Sequence, residues 1–148
     1  MLKRSITYPD FFTDEEITED FYFNVTESEF FEFELEFAGG MEEFIKTIIR
    51  TEDLKELVKL FKRLILLSVG EKQGSAFVKS PEFATAFSQT SAYNTLFMEL
   101  ATDDKKGAEF INGITPKTFK QEAQQDKPLG PPPTPTNSLA APVAPVVL

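Results

Sequence analysis

The alternation of apolar and polar residues is clearest in the middle of the chain, over Leu54–Gly70. Apolar side chains recur there every three or four residues, the spacing that gathers them on one face of an α-helix. Leu60 and Leu67 lie beside this stripe and widen it, so we expect neighbouring elements to cover the helix on more than one side. Thr51 is the predicted N-cap of this helix, and Gly70 is its predicted C-terminal stop.

The polar side of this central helix is mainly basic and carries three lysines and Arg63. Helices of this kind also bind membrane surfaces or partner proteins. Because Leu60 and Leu67 interrupt the polar side, the pattern favours a core helix with one solvated face. The same two leucines are candidates for contact with a partner.

Two strands are predicted near the N-terminus, Lys3–Tyr8 and Ile17–Val25, because both are rich in β-branched and aromatic residues. Pro9-Asp10 and Thr13–Glu16 lie between them and have the composition of turns. We therefore predict a β-hairpin over residues 3–25 with a long connection. A two-stranded hairpin is marginally stable alone, so we expect it to pack on the helices that follow.

The segment Thr26–Phe37 fits two interpretations. In its second half apolar residues alternate with glutamates, which is the period of a strand. Its start is typical of a helix, because Thr26 and Glu29 form a capping box. Val25 and Phe30 also have the spacing of a hydrophobic staple. We predict a helix whose aromatic residues cover more than half of its circumference, enough for one contact with the core and another with a partner.

Four further helices are predicted besides these two. Gly39-Gly40 ends the Thr26–Phe37 helix, and Glu71–Phe77 is predicted as a loop around Gly74. The further helices cover Met41–Ile49, a segment that starts at Ser80-Pro81, Ala92–Ala101, and a last segment capped by Asp103 or Asp104 and closed by Gly113 and Pro116. The predicted fold is mainly α (α+β): an N-terminal β-hairpin packed on a bundle of five to six helices, in one domain over residues 1–120.

The composition changes after residue 120. Seven of the ten prolines of the chain lie there, among small and polar residues. Such a stretch buries too little apolar surface to offset the entropy lost on ordering it. We predict a disordered C-terminal tail rich in Pro, Ala and Val over residues 121–148, and its apolar end, Val143–Leu148, leaves a docking role open.

The sequence offers few residues for catalysis. It contains neither Cys nor His, which excludes thiol chemistry and disulfides and removes the commonest general base and metal ligand. Acidic pairs such as Glu19-Asp20 and Asp103-Asp104 lack the spacing of a calcium loop. We therefore predict no catalytic residues, no metal site and no cofactor. A binding module is favoured, and an enzyme that uses carboxylates is the least favoured alternative.

The net charge of −9 is concentrated near the N-terminus, where residues 1–43 hold 13 acidic residues against Lys3 and Arg4. Phosphate contacts need a basic footprint, so we expect no nucleic-acid binding. The acidic half could instead meet a basic protein. The longest apolar run, Leu64–Leu67, is too short to span a bilayer, and no secretory signal is visible. We therefore expect no membrane binding and a location in the cytoplasm.

These patterns single out eight candidate partner-binding residues. Six lie in the Thr26–Phe37 segment, and two interrupt the polar side of the central helix. The candidates are Phe30, Phe31, Phe33, Glu34, Leu35, Phe37, Leu60 and Leu67.

Several segments of the chain resemble a known family. Thr18–Thr26, with the sequence TEDFYFNVT, resembles an opening found in small proteins of tailed phages from Gram-positive hosts. Further similar segments are Gly39-Gly40, the basic helix that ends in Gly70-Glu71-Lys72, Phe77–Ser80, Phe87–Tyr93, Leu96–Asp103 and Phe110–Pro116. Over about residues 3–116, the chain is similar to the tail assembly chaperones of long-tailed, siphovirus-type phages.

The resemblance implies an assembly factor that acts in the host cell cytoplasm and is absent from the mature virion. Members of that family bind the tape measure protein, a very long helical chain with much apolar surface, and keep it soluble. They also help tail tube subunits to gather on it. The tape measure protein is therefore the expected partner, and the resemblance leaves the major tail tube protein and self-association open. A chaperone of helices needs exposed apolar surface beside strong charge, and the Thr26–Phe37 segment has that character.

Two other functions are compatible with the same residues. A structural virion protein of the phage tail or connector would be found in purified particles. An acidic decoy would occupy a basic host protein, and its binding should collapse as the salt concentration rises.

Overall fold

Six helices and four strands follow one another over residues 1–116 of the computed structural model, which describes residues 1–119. They are β1 (Leu2–Pro9), β2 (Glu16–Phe23), α1 (Glu27–Leu35), α2 (Gly40–Thr51), α3 (Leu54–Ser68), β3 (Val69–Gln73), β4 (Ala76–Val78), α4 (Pro81–Ser88), α5 (Ser91–Thr102) and α6 (Asp104–Ile114). Met1–Pro116 form one compact unit, and the described start of the next, residues 117–119, is helical. The predicted mainly α (α+β) fold is confirmed. The predicted disordered tail over residues 121–148 lies outside the described residues.

The N-terminal hairpin forms as predicted. β1 and β2 pair antiparallel along their whole length, with Leu2 opposite Phe23, and residues 10–15 make the long connection. Helix α5 packs against β1, where the guanidinium of Arg4 lies 2.7 Å from the carboxylate of Glu99. The hairpin is thus supported by a helix, as its marginal stability requires.

The prediction of a loop over Glu71–Phe77 is wrong, because β3 and β4 form a second hairpin there. Gly74 has φ +63° in the two-residue turn, a conformation that glycine adopts without strain. Tyr22 of β2 lies opposite Gly70, so the sheet has the order β1-β2-β3-β4. Gly70 is therefore a buried strand residue and does not stop the helix. A Cβ atom there would lie 2.4 Å from the ring of Phe77.

Helix α3 is the predicted core helix, and it ends at Ser68. Its buried residues are Leu60, Phe61, Leu64, Ile65 and Ser68. The predicted N-cap, Thr51, is wrong, because α2 continues through Thr51, whose hydroxyl donates to the carbonyl of Thr47 at 2.8 Å. Asp53 caps α3 instead, and its carboxylate accepts a hydrogen bond of 3.2 Å from the backbone N–H of Glu56.

Aromatic side chains from three elements meet in the core beside α3. The ring of Phe23 in β2 lies 6.2 Å from that of Phe87 in α4 and 5.3 Å from that of Phe110 in α6, both edge-on. Such pairs add about 1 kcal/mol each beyond their buried area. Gly107 lets α6 approach α3 closely, because a Cβ atom there would lie 2.8 Å from the ring of Phe61.

Side-chain caps start helices α1, α4 and α6 as predicted. Thr26 and Glu29 form a complete capping box at the start of α1, which establishes a helix where the alternating pattern also allowed a strand. Ser80 caps α4 and precedes Pro81 at the first helical position. Asp103 caps α6 through the backbone N–H groups of its first turn.

Candidate protein-binding surfaces

Helix α1 presents an apolar pair to solvent on the side that faces away from the core. Phe30 and Phe33 are buried, whereas Phe31 is 54% exposed and Leu35 is 71% exposed. Phe31 and Leu35 are four residues apart, so they are neighbours on the helix surface. We call this pair the α1 face. Exposed glutamates lie in and beside the same helix, at Glu27, Glu32 and Glu36.

The inner side of α1 is fixed by specific contacts with α2 and α3. The carboxylate of Glu34 accepts a hydrogen bond of 3.1 Å from the backbone N–H of Met41, in the first turn of α2. The ring of Phe37 lies 4.4 Å from that of Phe44. Arg63 of α3 lies over the ring of Phe33, with its guanidinium carbon 4.7 Å from the ring centroid. Glu34 and Phe37 therefore hold α1 in place.

Glu29 joins the start of α1 to the segment that follows β4. Its carboxylate accepts from the backbone N–H of Thr26 at 2.9 Å and lies 2.5 Å from the ammonium of Lys79. Lys79 also donates to the carbonyl of Asn24 at 2.8 Å. Partial burial alone would raise the pKa of Glu29, but Lys79 and the Thr26 N–H together hold that pKa below its usual value.

The structure separates the eight predicted partner-binding residues by their exposure. Phe31 and Leu35 are exposed, and Glu34, Phe37 and Leu67 are partly buried. Phe30, Phe33 and Leu60 are buried in the core. Phe31 and Leu35 are the most exposed of the eight, so they need no change of fold to meet a partner. The sequence does not show which apolar residues of α1 are exposed, because that depends on which side of the helix faces α3.

A second apolar surface lies at the corner between α2 and α3. Ile48, Ile49, Leu54 and Leu57 line an open groove of about 300 Å³ together with Glu52, Asp53 and Asp104. We call it the α2–α3 groove. Ile49 and Leu54 are strongly exposed, although both fit the predicted apolar stripes of their helices. They lie at the end of one helix and the start of the next, where fewer neighbours surround a side chain.

The connection between β1 and β2 forms a third apolar surface, although the sequence predicted only turns there. We call residues 10–15 the hairpin tip. It presents Phe11 and Phe12, and Phe12 is 96% exposed. The carboxylate of Asp10 accepts from the backbone N–H groups of Phe12 at 2.8 Å and of Thr13 at 3.0 Å. These hydrogen bonds lower the pKa of Asp10. The sequence feature that could have indicated this surface is the adjacent pair of phenylalanines beside acidic residues.

The described residues contain no arrangement that suggests metal chemistry or a membrane span. Over residues 1–119, no group of three or more acidic side chains could hold a metal ion. Within the same range, no helix has the length and apolar character needed to cross a bilayer.

Comparison with known proteins gives one match over almost the whole chain. A family model described as phage tail assembly chaperone matches residues 1–145. No curated protein and no solved structure shows significant similarity to the chain.

Proposed function

The chain belongs to the phage tail assembly chaperone family, and we propose that it acts by binding the tape measure protein and keeping it soluble while tail tube subunits gather on it. A chaperone role in tail assembly follows from the family. The tape measure protein and the tube subunits are the partners that the resemblance implied. We further propose that this takes place in the host cell cytoplasm and that the mature virion lacks the chain. The long-tailed phage type and the Gram-positive host stay predictions.

The observation that carries this proposal is the α1 face. Phe31 and Leu35 are spaced by four residues, about 6 Å along the helix axis, so they present one continuous apolar strip. Such a strip can pack on the apolar stripe of an amphipathic helix, as in recognition of helices by grooves and helix faces. A tape measure protein is expected to offer such stripes repeatedly along its length.

The charge around the α1 face supports the solubilising part of the proposal. Exposed glutamates flank the apolar pair, and the chain as a whole carries a net charge of −9. When the apolar strip is covered by a partner, these carboxylates remain at the surface of the complex. Like charges on neighbouring complexes repel one another, which opposes aggregation of a long apolar chain.

The α2–α3 groove is a second proposed contact for the same partner. It is concave and lined by aliphatic side chains, and Ile49 and Leu54 are exposed at it. Helical ligands commonly place aliphatic side chains in grooves of this kind. A long helical partner could use the groove and the α1 face at successive positions along its chain.

Co-expression with the tape measure protein tests the proposal. We expect wild-type chaperone to keep the tape measure protein soluble and to co-purify with it at high salt, because apolar contacts are not screened. The double variant Phe31→Ser/Leu35→Ser should lose most of this activity. Met98→Ser is the matched control, because Met98 on α5 is 51% exposed, close to the exposure of Phe31.

The outcomes separate the proposed surface from the proposed function. An insoluble tape measure protein with wild-type chaperone would contradict the function. We would then search purified particles for the chain, as expected for a virion protein. Equal solubility with the double variant and with wild type would leave the function in place and reject the α1 face.

A further inference from the structure

Strand β1 is an edge strand, since the sheet of the described residues has the order β1-β2-β3-β4. It is eight residues long, whereas β4 at the opposite edge has three. Edge strands carry backbone N–H and C=O groups that have no partner in the sheet, and very short edge strands limit pairing with other chains. β4 has this protection and β1 does not. We call the side of β1 that faces away from β2 the β1 edge.

A hydrogen bond at the end of the first hairpin establishes which backbone groups point towards the β1 edge. The N–H of Asp10 donates to the carbonyl of Glu15 at 2.9 Å, directly beyond the paired residues Pro9 and Glu16. Hydrogen-bonded and non-hydrogen-bonded pairs alternate along an antiparallel ladder. The even-numbered residues of β1 therefore bond to β2, and the backbone groups of its odd-numbered residues point outwards.

The pairing of β2 with β3 gives the same assignment independently. The N–H of Asn24 donates to the carbonyl of Ser68 at 2.8 Å, so the even-numbered residues of β2 bond to β3. Its odd-numbered residues are left for β1, where they lie opposite even-numbered residues. Lys3, Ser5 and Thr7 thus direct both backbone groups to the β1 edge. Over residues 1–119, no hydrogen bond from another element reaches these groups.

The side chains of the three outward-directed residues leave the β1 edge accessible. All three are exposed, and they turn towards β2 on the face opposite to α5. The ammonium of Lys3 lies 3.0 Å from the carboxylate of Asp20, and the hydroxyl of Thr7 lies 2.8 Å from that of Thr18. Neither contact crosses the β1 edge. An extended chain can therefore lie beside β1 without displacing these side chains.

We propose that the β1 edge pairs with the β1 edge of a second copy of this chain, antiparallel and around a twofold axis at Ser5. In this register Ser5 lies opposite Ser5 of the other copy, and Lys3 lies opposite Thr7. Each of these residues then exchanges both of its backbone hydrogen bonds with the facing residue. The two sheets join into one. The proposal concerns the chain alone and does not depend on the proposed function.

The neighbouring registers are less favourable. An axis at Arg4 places two guanidinium groups opposite each other, and like charges in that position destabilise a sheet. An axis at Ile6 places Lys3 opposite Pro9, which has no N–H, so the carbonyl of Lys3 loses its donor. The register around Ser5 avoids both problems. A shift by a single residue would place the helix-covered face of one strand beside the open face of the other.

The side chains that meet in the Ser5 register are compatible. Towards the helices, Leu2 lies opposite Tyr8 of the other copy, and Arg4 lies opposite Ile6. Aromatic and aliphatic side chains that face each other across strands stabilise a sheet. The first acidic residue of the chain is Asp10, so β1 itself brings no carboxylates to the interface.

An extended segment of another protein is the alternative occupant of the β1 edge. Backbone hydrogen bonds are common to all sequences, so they do not identify such a segment. A second β1 strand is favoured because it has the same length and the same alternation of faces. It also places no like charges opposite each other in the Ser5 register. This self-complementarity is what a twofold interface requires.

Sedimentation velocity of the full chain over a range of concentrations tests the proposal. We expect wild type to form dimers as the concentration rises. Ser5→Lys should weaken dimerisation by about fivefold or more, because two ammonium groups would meet at the axis. Ser75→Lys is the matched control, because Ser75 is an exposed serine in the turn between β3 and β4, and this variant should dimerise as wild type does.

Disulfide cross-linking tests the register, since the chain contains no cysteine of its own. Facing residues of a hydrogen-bonded pair have Cα atoms about 5.5 Å apart, within the range that a disulfide spans. Ser5→Cys should therefore form a linked dimer under mild oxidation, faster than Ser75→Cys does. Thr7→Cys alone should not, but a mixture of Lys3→Cys and Thr7→Cys should give the mixed dimer.

Amide hydrogen exchange examines the β1 edge directly. The N–H groups of Ser5 and Thr7 should exchange rapidly at low protein concentration and more slowly at high concentration, where the dimer forms. The N–H groups of Arg4 and Ile6, which bond to β2, should be protected at both concentrations. Unfolding midpoints of the variants show whether each of them still folds.

Three results would overturn the proposal. The first is wild-type protein that stays monomeric at all concentrations measured, which would leave the β1 edge to another protein. The second is dimerisation of Ser5→Lys as strong as that of wild type, which would place the interface elsewhere. The third is cross-linking of Thr7→Cys alone as efficient as that of Ser5→Cys, which would reject the register. The solubility assay with the tape measure protein tests the proposed function separately.

Discussion

Helices α1 and α3 contain similar types of apolar residue but expose different shares of them. α3 buries five of its fifteen residues and leaves two of its nine apolar side chains, Leu54 and Val58, exposed near its start. α1 buries two of its nine residues and leaves Phe31 and Leu35 in solvent. The comparison teaches that apolar content does not determine burial. The arrangement of apolar positions around the helix determines how many of them can face the same core.

The two helices are also held in place by different interactions. α3 is stabilised by burial of its stripe among β2, α4 and α5. α1 depends more on polar contacts at its ends, including the capping box at Thr26, the Glu29–Lys79 pair and the Arg63–Glu36 pair at 2.8 Å. This difference leaves the outer side of α1 available for binding without a large loss of stability.

The largest expected effect is on α3. Ile65 is fully buried, so Ile65→Ala should lower the free energy of unfolding by about 2–5 kcal/mol through lost burial and a residual cavity. Urea denaturation followed by circular dichroism measures this change. Lys62→Ala on the exposed side of α3 is the control, with an expected change below about 0.5 kcal/mol. A loss below 1 kcal/mol for Ile65→Ala would show that α3 is not the centre of the core.

A smaller, pH-dependent effect is expected at the start of α1. Lys79 and the Thr26 N–H hold the pKa of Glu29 below its ordinary value of 4.5 in the folded chain, so the ionised form of Glu29 stabilises the fold above that pH. This contribution should be lost as the pH falls through 4.5 and then through the lower pKa of the folded state. Glu29→Gln should therefore be less stable than wild type at pH 7.

The corresponding measurement compares urea denaturation of both proteins at pH 7 and at about pH 3. The gap in unfolding free energy between wild type and Glu29→Gln should narrow at the lower pH. A gap of the same size at both values would mean that ionisation of Glu29 does not help to hold α1 in place.

Much of this fold was predictable because it depends on local signals. The capping box at Thr26, the Ser80-Pro81 helix start and the two β-rich N-terminal segments all led to the observed elements. The β3–β4 hairpin was not predicted because its strands are short. It joins the sheet only through pairing of β3 with β2, which is distant in the sequence. Gly70 was misread for a related reason: its contact with Phe77 exists only after that hairpin forms.

The candidate surfaces were less predictable than the fold. Sequence periodicity placed Phe30, Phe31, Phe33 and Leu35 in one wide apolar arc, but tertiary packing decides which part of the arc faces inward. The exposure of Ile49 and Leu54 likewise depends on the angle between α2 and α3. At the hairpin tip, the phenylalanines follow neither a strand period nor a helix period. Hydrophobic periodicity therefore does not identify them as an exposed surface.

The most direct test compares affinity and stability in one protein. The affinity of the chain for an amphipathic helical fragment of the tape measure protein should be measured by calorimetry, beside the free energy of unfolding. For Phe31→Ser/Leu35→Ser we predict a Kd at least about tenfold weaker, with a change in unfolding free energy below about 1 kcal/mol. An unchanged Kd, or a loss of stability as large as that of Ile65→Ala, would contradict the account that α1 presents a binding surface.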